Sequence, residues 1–198
     1  MPNLSKILQS ELEFLNISTE KFTIFEFKPP RSFKSFILEL NIVKEHAKSD
    51  IFFHIHKGNM KMVHIMLDDL IYTVGSTENI QFQLLETLIE QTAKEFNIKY
   101  DVKYILSYGN FDNSFFRDFK EDMTNIINNF DELKLVKVIN VPCTVCDKIL
   151  PLIVKKSSIE NAESYPVPLV YMHQGHAILC FIDKNYDVRG VELVNITG

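Results

Sequence analysis

The apolar positions of this chain change their period along its length, and the change predicts most of its elements. Residues 4–15 place Leu4, Ile7, Leu8, Leu12 and Leu15 at helical spacing, which predicts a short amphipathic helix. Phe22, Ile24 and Phe25 to Phe27 read as a strand, and Pro29-Pro30 ends it because proline cannot donate to a ladder. Over 33–47 two periods compete. Phe36, Leu38, Leu40 and Ile42 alternate as in a strand, whereas Phe33, Ile37, Leu40 and Val43 fit a helix; the strand is the reading adopted. Ile51 to His56 and Met62 to Leu67 flank Lys57-Gly58-Asn59-Met60, which predicts a hairpin. A second turn at Asp68-Asp69 leads into Ile71 to Val74, and Gly75-Ser76-Thr77 offers a stop followed by an N-cap.

Two longer stretches keep the helical period over more than three turns. In 79–96 the apolar face is Phe82, Leu85, Leu88, Ile89, Ala93 and Phe96; in 114–130 it is Phe115, Phe116, Phe119, Met123, Ile126, Ile127 and Phe130. Between them Val102 to Ser107 reads as a strand. After Asp131-Glu132 the pattern turns to strands alone: 135–139, 150–154, 167–172, 177–182 and 188–194. The fold class expected is α+β. The domains expected are 1–133, with a sheet and two long helices, and 134–198, a β-rich Cys/His subdomain.

Composition narrows the function more than the fold. The 198 residues are 46% hydrophobic and 24% charged, ordinary for a chain that folds around its own core. Residues 1–133 carry 14 basic against 20 acidic side chains and residues 134–198 carry 7 against 6. Neither part has the basic stripe that phosphate backbones require, so nucleic acid is not an expected partner. No apolar run reaches the roughly 18 residues of a membrane span, and the N-terminus lacks the apolar core of a signal peptide. Three cysteines argue against a disulfide framework and for a reducing cytoplasm.

Those cysteines bring the clearest chemistry. Cys143-Thr144-Val145-Cys146 follows a predicted strand and has the knuckle spacing that turns two thiolates towards one ion. His173-Gln174-Gly175-His176 reads as two histidines flanking a two-residue hairpin turn. They are then an opposed pair on one face, with Cα atoms within about 5.5 Å. Cys143, Cys146, His173 and His176 could complete a tetrahedral Cys2His2 site. With four protein ligands, Zn2+ there would be structural, because no position remains for a reactive water. A second reading stands beside it: both cysteines are small buried hydrophobes and the histidines form a polar hairpin tip. A redox dithiol is a third, without the βαβ context such motifs have. Cys180 lies in an apolar strand and reads as core.

Other candidates read as ordinary structure. His54 and His56 share one face of a strand and read as solvent-facing, while His64 opposes Phe53 on the other face. Asp68-Asp69 and Asp183 to Asp187 read as turns. No Gly-x-Gly-x-x-Gly and no Gly-x-Ser-x-Gly occurs. No catalytic motif is found, although dispersed catalytic residues leave little local trace.

Two stretches resemble known families. From Ile51 to Phe130 the predicted order is strand–turn–strand, long helix, strand, long helix, and it resembles the roadblock/longin-type α+β modules of small-GTPase regulators and trafficking complexes. From Cys143 onward the chain is similar to a Cys-x-x-Cys module of uncharacterised archaeal proteins. In that module the pair is followed by a Cys-x-His step into an apolar strand, an Asp-Lys-Asn turn and Val-Arg-Gly. His176, Phe181 to Tyr186 and Val188-Arg189-Gly190 match it; Gln174 stands where the module has cysteine, and His173 would substitute.

The resemblances imply a non-enzymatic adaptor or regulatory module. It would dimerise or bind a protein partner such as a small GTPase, through a sheet edge or a helix face. The β-rich, zinc-ribbon-like part would be stapled by zinc. The alternatives are a zinc-dependent ligand-sensing or transcription-associated binding protein, and an unrecognised hydrolase or redox enzyme.

Overall fold

The first helix ends earlier than its apolar spacing predicts. In the computed structural model, which describes residues 2–30, 48–109, 111, 113–143, 145–173 and 175–194, α1 is Leu4–Glu11 and the chain passes directly into β1, Leu12–Ser18. Leu12 and Leu15, expected on the helix, lie in that strand. The reason is tertiary. β1 pairs antiparallel with β2 (Thr23–Phe27) on one side and with β5 (Leu70–Thr77) on the other, so its ladder outweighs a modest helical preference. The strand read at 33–47 lies outside the described residues.

The expected hairpin forms between β3 (Phe53–Lys57) and β4 (Met60–Leu67), and the Asp68-Asp69 turn carries β4 into β5. Both turn aspartates have positive φ, 49° and 63°, a conformation that short polar side chains tolerate. The resulting sheet has the order β2-β1-β5-β4-β3. One row crosses all of it by direct pairing: Glu26, Asn16, Thr73, His64 and Phe53. Gly75 does not stop β5. A Cβ there would collide with the ring of its partner Phe14, so the glycine is needed for close approach, and the strand runs on through Thr77.

Helix α2 (Phe82–Lys99) buries Leu85, Leu88, Ile89, Ala93 and Phe96 of the stripe its period predicts, while Phe82 at its start is half-buried. Residues 102–107, read as a strand, lie in helix α3 (Val102–Tyr108) instead. Asp101 accepts from the backbone N–H groups of Lys103 (2.9 Å) and Tyr104 (3.2 Å), and Gly109 closes the other end at φ 70°. These two caps outweigh the alternating apolar pattern between them. A 3-10 turn (Asn113–Phe116) leads into α4 (Arg117–Asn128), which buries Phe119, Met123, Ile126 and Ile127; Phe115, assigned to that face by period, is exposed. The aromatic core joins strand to helices: Phe25 meets Phe119 at 4.9 Å and Tyr72 meets Phe96 edge-on at 6.4 Å.

The chain divides into two compact units, Pro2–Leu133 and Lys134–Gly198. The second is not made of strands alone. β6 (Val136–Pro142) and β7 (Ile149–Lys155) form a two-stranded hairpin, and the short helix α5 (Lys156–Glu160) follows. Then β8 (Val167–His173), β9 (His176–Ile182) and β10 (Val188–Val194) form a three-stranded meander. Both sheets contribute to one core containing Val141, Leu152, Val154, Tyr171, Ile178 and Ile182. The buried Tyr171 hydroxyl donates to the Ile153 carbonyl at 2.9 Å and ties the sheets together. The whole is a mixed α+β chain, and among the described residues no helix is long and apolar enough to cross a membrane.

Candidate metal centre

The β6–β7 loop places both cysteines. The Cys143 N–H donates to the Lys148 carbonyl at 2.8 Å, and the Asp147 N–H returns to the Cys143 carbonyl at 3.0 Å. Asp147 adopts φ 53°, which lets the chain reverse within the loop. The backbone N–H groups of Cys146 and Val145 hydrogen-bond the Cys143 sulfur, and the Cys146 thiol lies within hydrogen-bond reach of it. Those donors hold the Cys143 thiol below its usual range although burial opposes them. Its side chain is buried, while that of Cys146 is partly exposed.

The two histidines come from the β8–β9 hairpin, where His173 and His176 are direct Cα partners as the turn requires. Gly175 has φ 82°, the conformation that this tight turn demands. His173 has the strand parity of buried Tyr171, and its Nε2 lies 3.5 Å from the Cys146 sulfur. The structure thus brings Cys143 to Cys146 and Cys146 to His173. For His176 the backbone register is defined, and its side chain lies outside what is described. Among the described residues no group of three or more His, Cys, Asp or Glu side chains is gathered closely enough to hold a metal ion.

Cys180 differs from Cys143 although both belong to the same core. It is fully buried among apolar side chains, and burial alone pushes its thiol up to about 11. Of the other candidates, His56 is exposed on its strand, while His54, His64 and Asp183 are engaged in structure. His54 is not simply a solvent-facing strand residue: it stacks on Phe82 with ring centroids 4.5 Å apart, and its Nε2 sits 2.7 Å from Glu86 Oε1 on α2. His64 is buried on the opposite face, stacked on its partner Phe53 at 5.4 Å. Asp183 organises its turn by accepting from the N–H groups of Asn185 (2.8 Å) and Asp187 (3.0 Å) and from Arg189 Nε (2.7 Å).

A second feature escapes the sequence pattern. Because 102–108 is helical, Tyr104 and Tyr108 lie one turn apart on one face, their rings 4.5 Å apart. Phe111 continues the row to Phe115, with ring centroids 4.7 Å apart, and Tyr100 approaches Phe115 at 5.5 Å. Tyr104, Tyr108 and Phe115 are respectively 50%, 69% and 44% exposed. Asp101 and Gly109, spaced as a helix N-cap and C-terminal glycine, were the sequence signal for this surface. No protein-family model matches the chain, and a search of curated proteins returns no match, so the site stands on its own geometry.

Proposed function

We propose that this chain is a non-enzymatic adaptor or regulatory module that docks a protein partner through the aromatic surface of its N-terminal unit. The observation that carries the reading is the contiguous row Tyr104, Tyr108, Phe111 and Phe115, in which Phe111 is half-buried and the other three are exposed, on a unit whose long helices bury their apolar stripes among the described residues. Scattered exposed apolar side chains are ordinary, but a contiguous aromatic patch marks an interaction surface. Tyrosine and phenylalanine supply large contact area with few rotatable bonds, which is why they concentrate at interfaces.

The mixed sheet-and-helix unit is compatible with the roadblock/longin-type resemblance, although α3 stands where the order behind that resemblance has a strand. The partners to test first are a second copy of this chain and a small GTPase. Light scattering on the full chain should show a dimer, or a complex once a small GTPase is added. Tyr108→Ser together with Tyr104→Ser should weaken that association by at least about tenfold, since interface aromatics commonly carry 1–2 kcal/mol or more each. A strictly monomeric protein that binds no small GTPase would sink the reading.

A further inference from the structure

The geometry points to a structural Zn2+ site held by Cys143, Cys146, His173 and His176 between the tips of the β6–β7 and β8–β9 hairpins. The first support is a distance. Zinc takes thiolate sulfur at about 2.3 Å and imidazole nitrogen at about 2.0–2.1 Å in a tetrahedron, so a bound S···N pair is separated by about 3.5 Å. The Cys146 sulfur and His173 Nε2 are 3.5 Å apart. One edge of the coordination polyhedron is therefore present before any ion is added.

The second support is the loop. A cysteine that only fills space is surrounded by apolar atoms, as Cys180 is. Cys143 is also buried, but it sits in a loop closed on itself, its N–H on the Lys148 carbonyl at 2.8 Å and its carbonyl taking the Asp147 N–H at 3.0 Å. That closure fixes the backbone that carries both sulfurs. The third support is the register. His176 is the Cα partner of His173, so the backbone sets the two histidines opposite one another at the turn. The strand face that carries His173 also carries buried Tyr171. The 26 residues between Cys146 and His173, a long gap for a ribbon, are taken up by β7, α5 and β8. They return the chain to the same end of the unit. The described side chains form two contacting pairs, and the ion together with His176 would close them into four ligands.

The test uses the full chain, purified reduced after growth with added zinc. About one zinc per chain is expected, and less than about 0.2 would overturn the proposal. Cobalt(II) substitution needs no mutation: tetrahedral d–d bands with sulfur-to-cobalt charge transfer support the site, and an octahedral spectrum without charge transfer overturns it. Cys146→Ser and His173→Ala should each weaken zinc binding by at least about 100-fold, while Cys180→Ala leaves it unchanged. His176→Ala separates the four-ligand set from a smaller one; unchanged affinity there overturns it. A Cys143–Cys146 disulfide as the sole state of freshly isolated protein, seen as a mass two hydrogens lighter, would also overturn it. None of these outcomes touches the aromatic surface.

Discussion

Cys143 and Cys180 occupy one core, yet their thiols are driven in opposite directions, the first down by N–H donors and the second up by apolar surroundings. Environment, more than burial, decides what a residue can do here. Thr73 makes the same point with a hydroxyl. It is buried between Asn16 and His64 in the sheet, and its Oγ1 finds no hydrogen-bond partner among the described residues. Thr73→Val keeps the shape and removes a desolvated polar group, so it should raise stability by about 1 kcal/mol, read from denaturant midpoints at constant slope. A loss of that size would show that the hydroxyl is bonded after all. Asp183 gives a pH dependence. The Asp187 N–H above all, helped by Arg189 and the Asn185 N–H, holds its carboxyl below the usual range. Its contribution is therefore complete above the unfolded value near 3.9 and is lost as pH falls through the lower folded value. Unfolding curves between pH 6 and 2, a range of about four units around that value, should converge for the parent and Asp183→Asn at the acid end. Parallel curves would refute this assignment.

At the scale of elements, what the sequence made legible was long-range periodicity, and what it hid was competition between local and tertiary terms. The α2 stripe, the β3–β4 hairpin and the His64–Phe53 register were readable because one period ran over enough residues to leave no rival. Leu12 and Leu15 misled because their spacing fits a helix while their strand partners lie far along the chain. Residues 102–107 misled in the other direction: Val102, Tyr104 and Leu106 alternate, but Asp101 and Gly109 fix a helix. Asp101→Ala should therefore cost about 1 kcal/mol and Gly109→Ala a similar amount, the latter from the left-handed backbone at φ 70°. Loss of α3 should be visible as faster amide exchange confined to 102–108. At the candidate metal site the spacing of both pairs was readable. The 3.5 Å approach of Cys146 to His173 was not, because it depends on how two hairpins far apart in the chain pack together.

At the scale of the whole molecule, two compact units share one chain and divide at Leu133 and Lys134. If zinc staples the second, its removal should act there and not throughout. Hydrogen exchange with and without a chelator is expected to speed up in 134–194 while the sheet β2-β1-β5-β4-β3 keeps its protection. Uniform loss of protection would contradict separate units, and no change at all would contradict the metal. The proposed docking surface and the proposed staple thus lie in different units and can be tested separately.

Helix α1 is held at its start by a residue from the far end of the same unit. Asp131 takes the Leu4 N–H at 3.1 Å and the Ser5 N–H and hydroxyl at 2.8 and 2.7 Å. Asp131 and Ser5 are 126 residues apart. During synthesis this clasp has no partner until nearly the whole unit has been made, which at roughly 5–20 residues per second is a wait of many seconds. Helix α1 is thus translated long before the residue that secures it. Ribosome-bound chains of increasing length should show it protected only after residue 131 has left the exit tunnel, whereas early protection would mean that local contacts suffice.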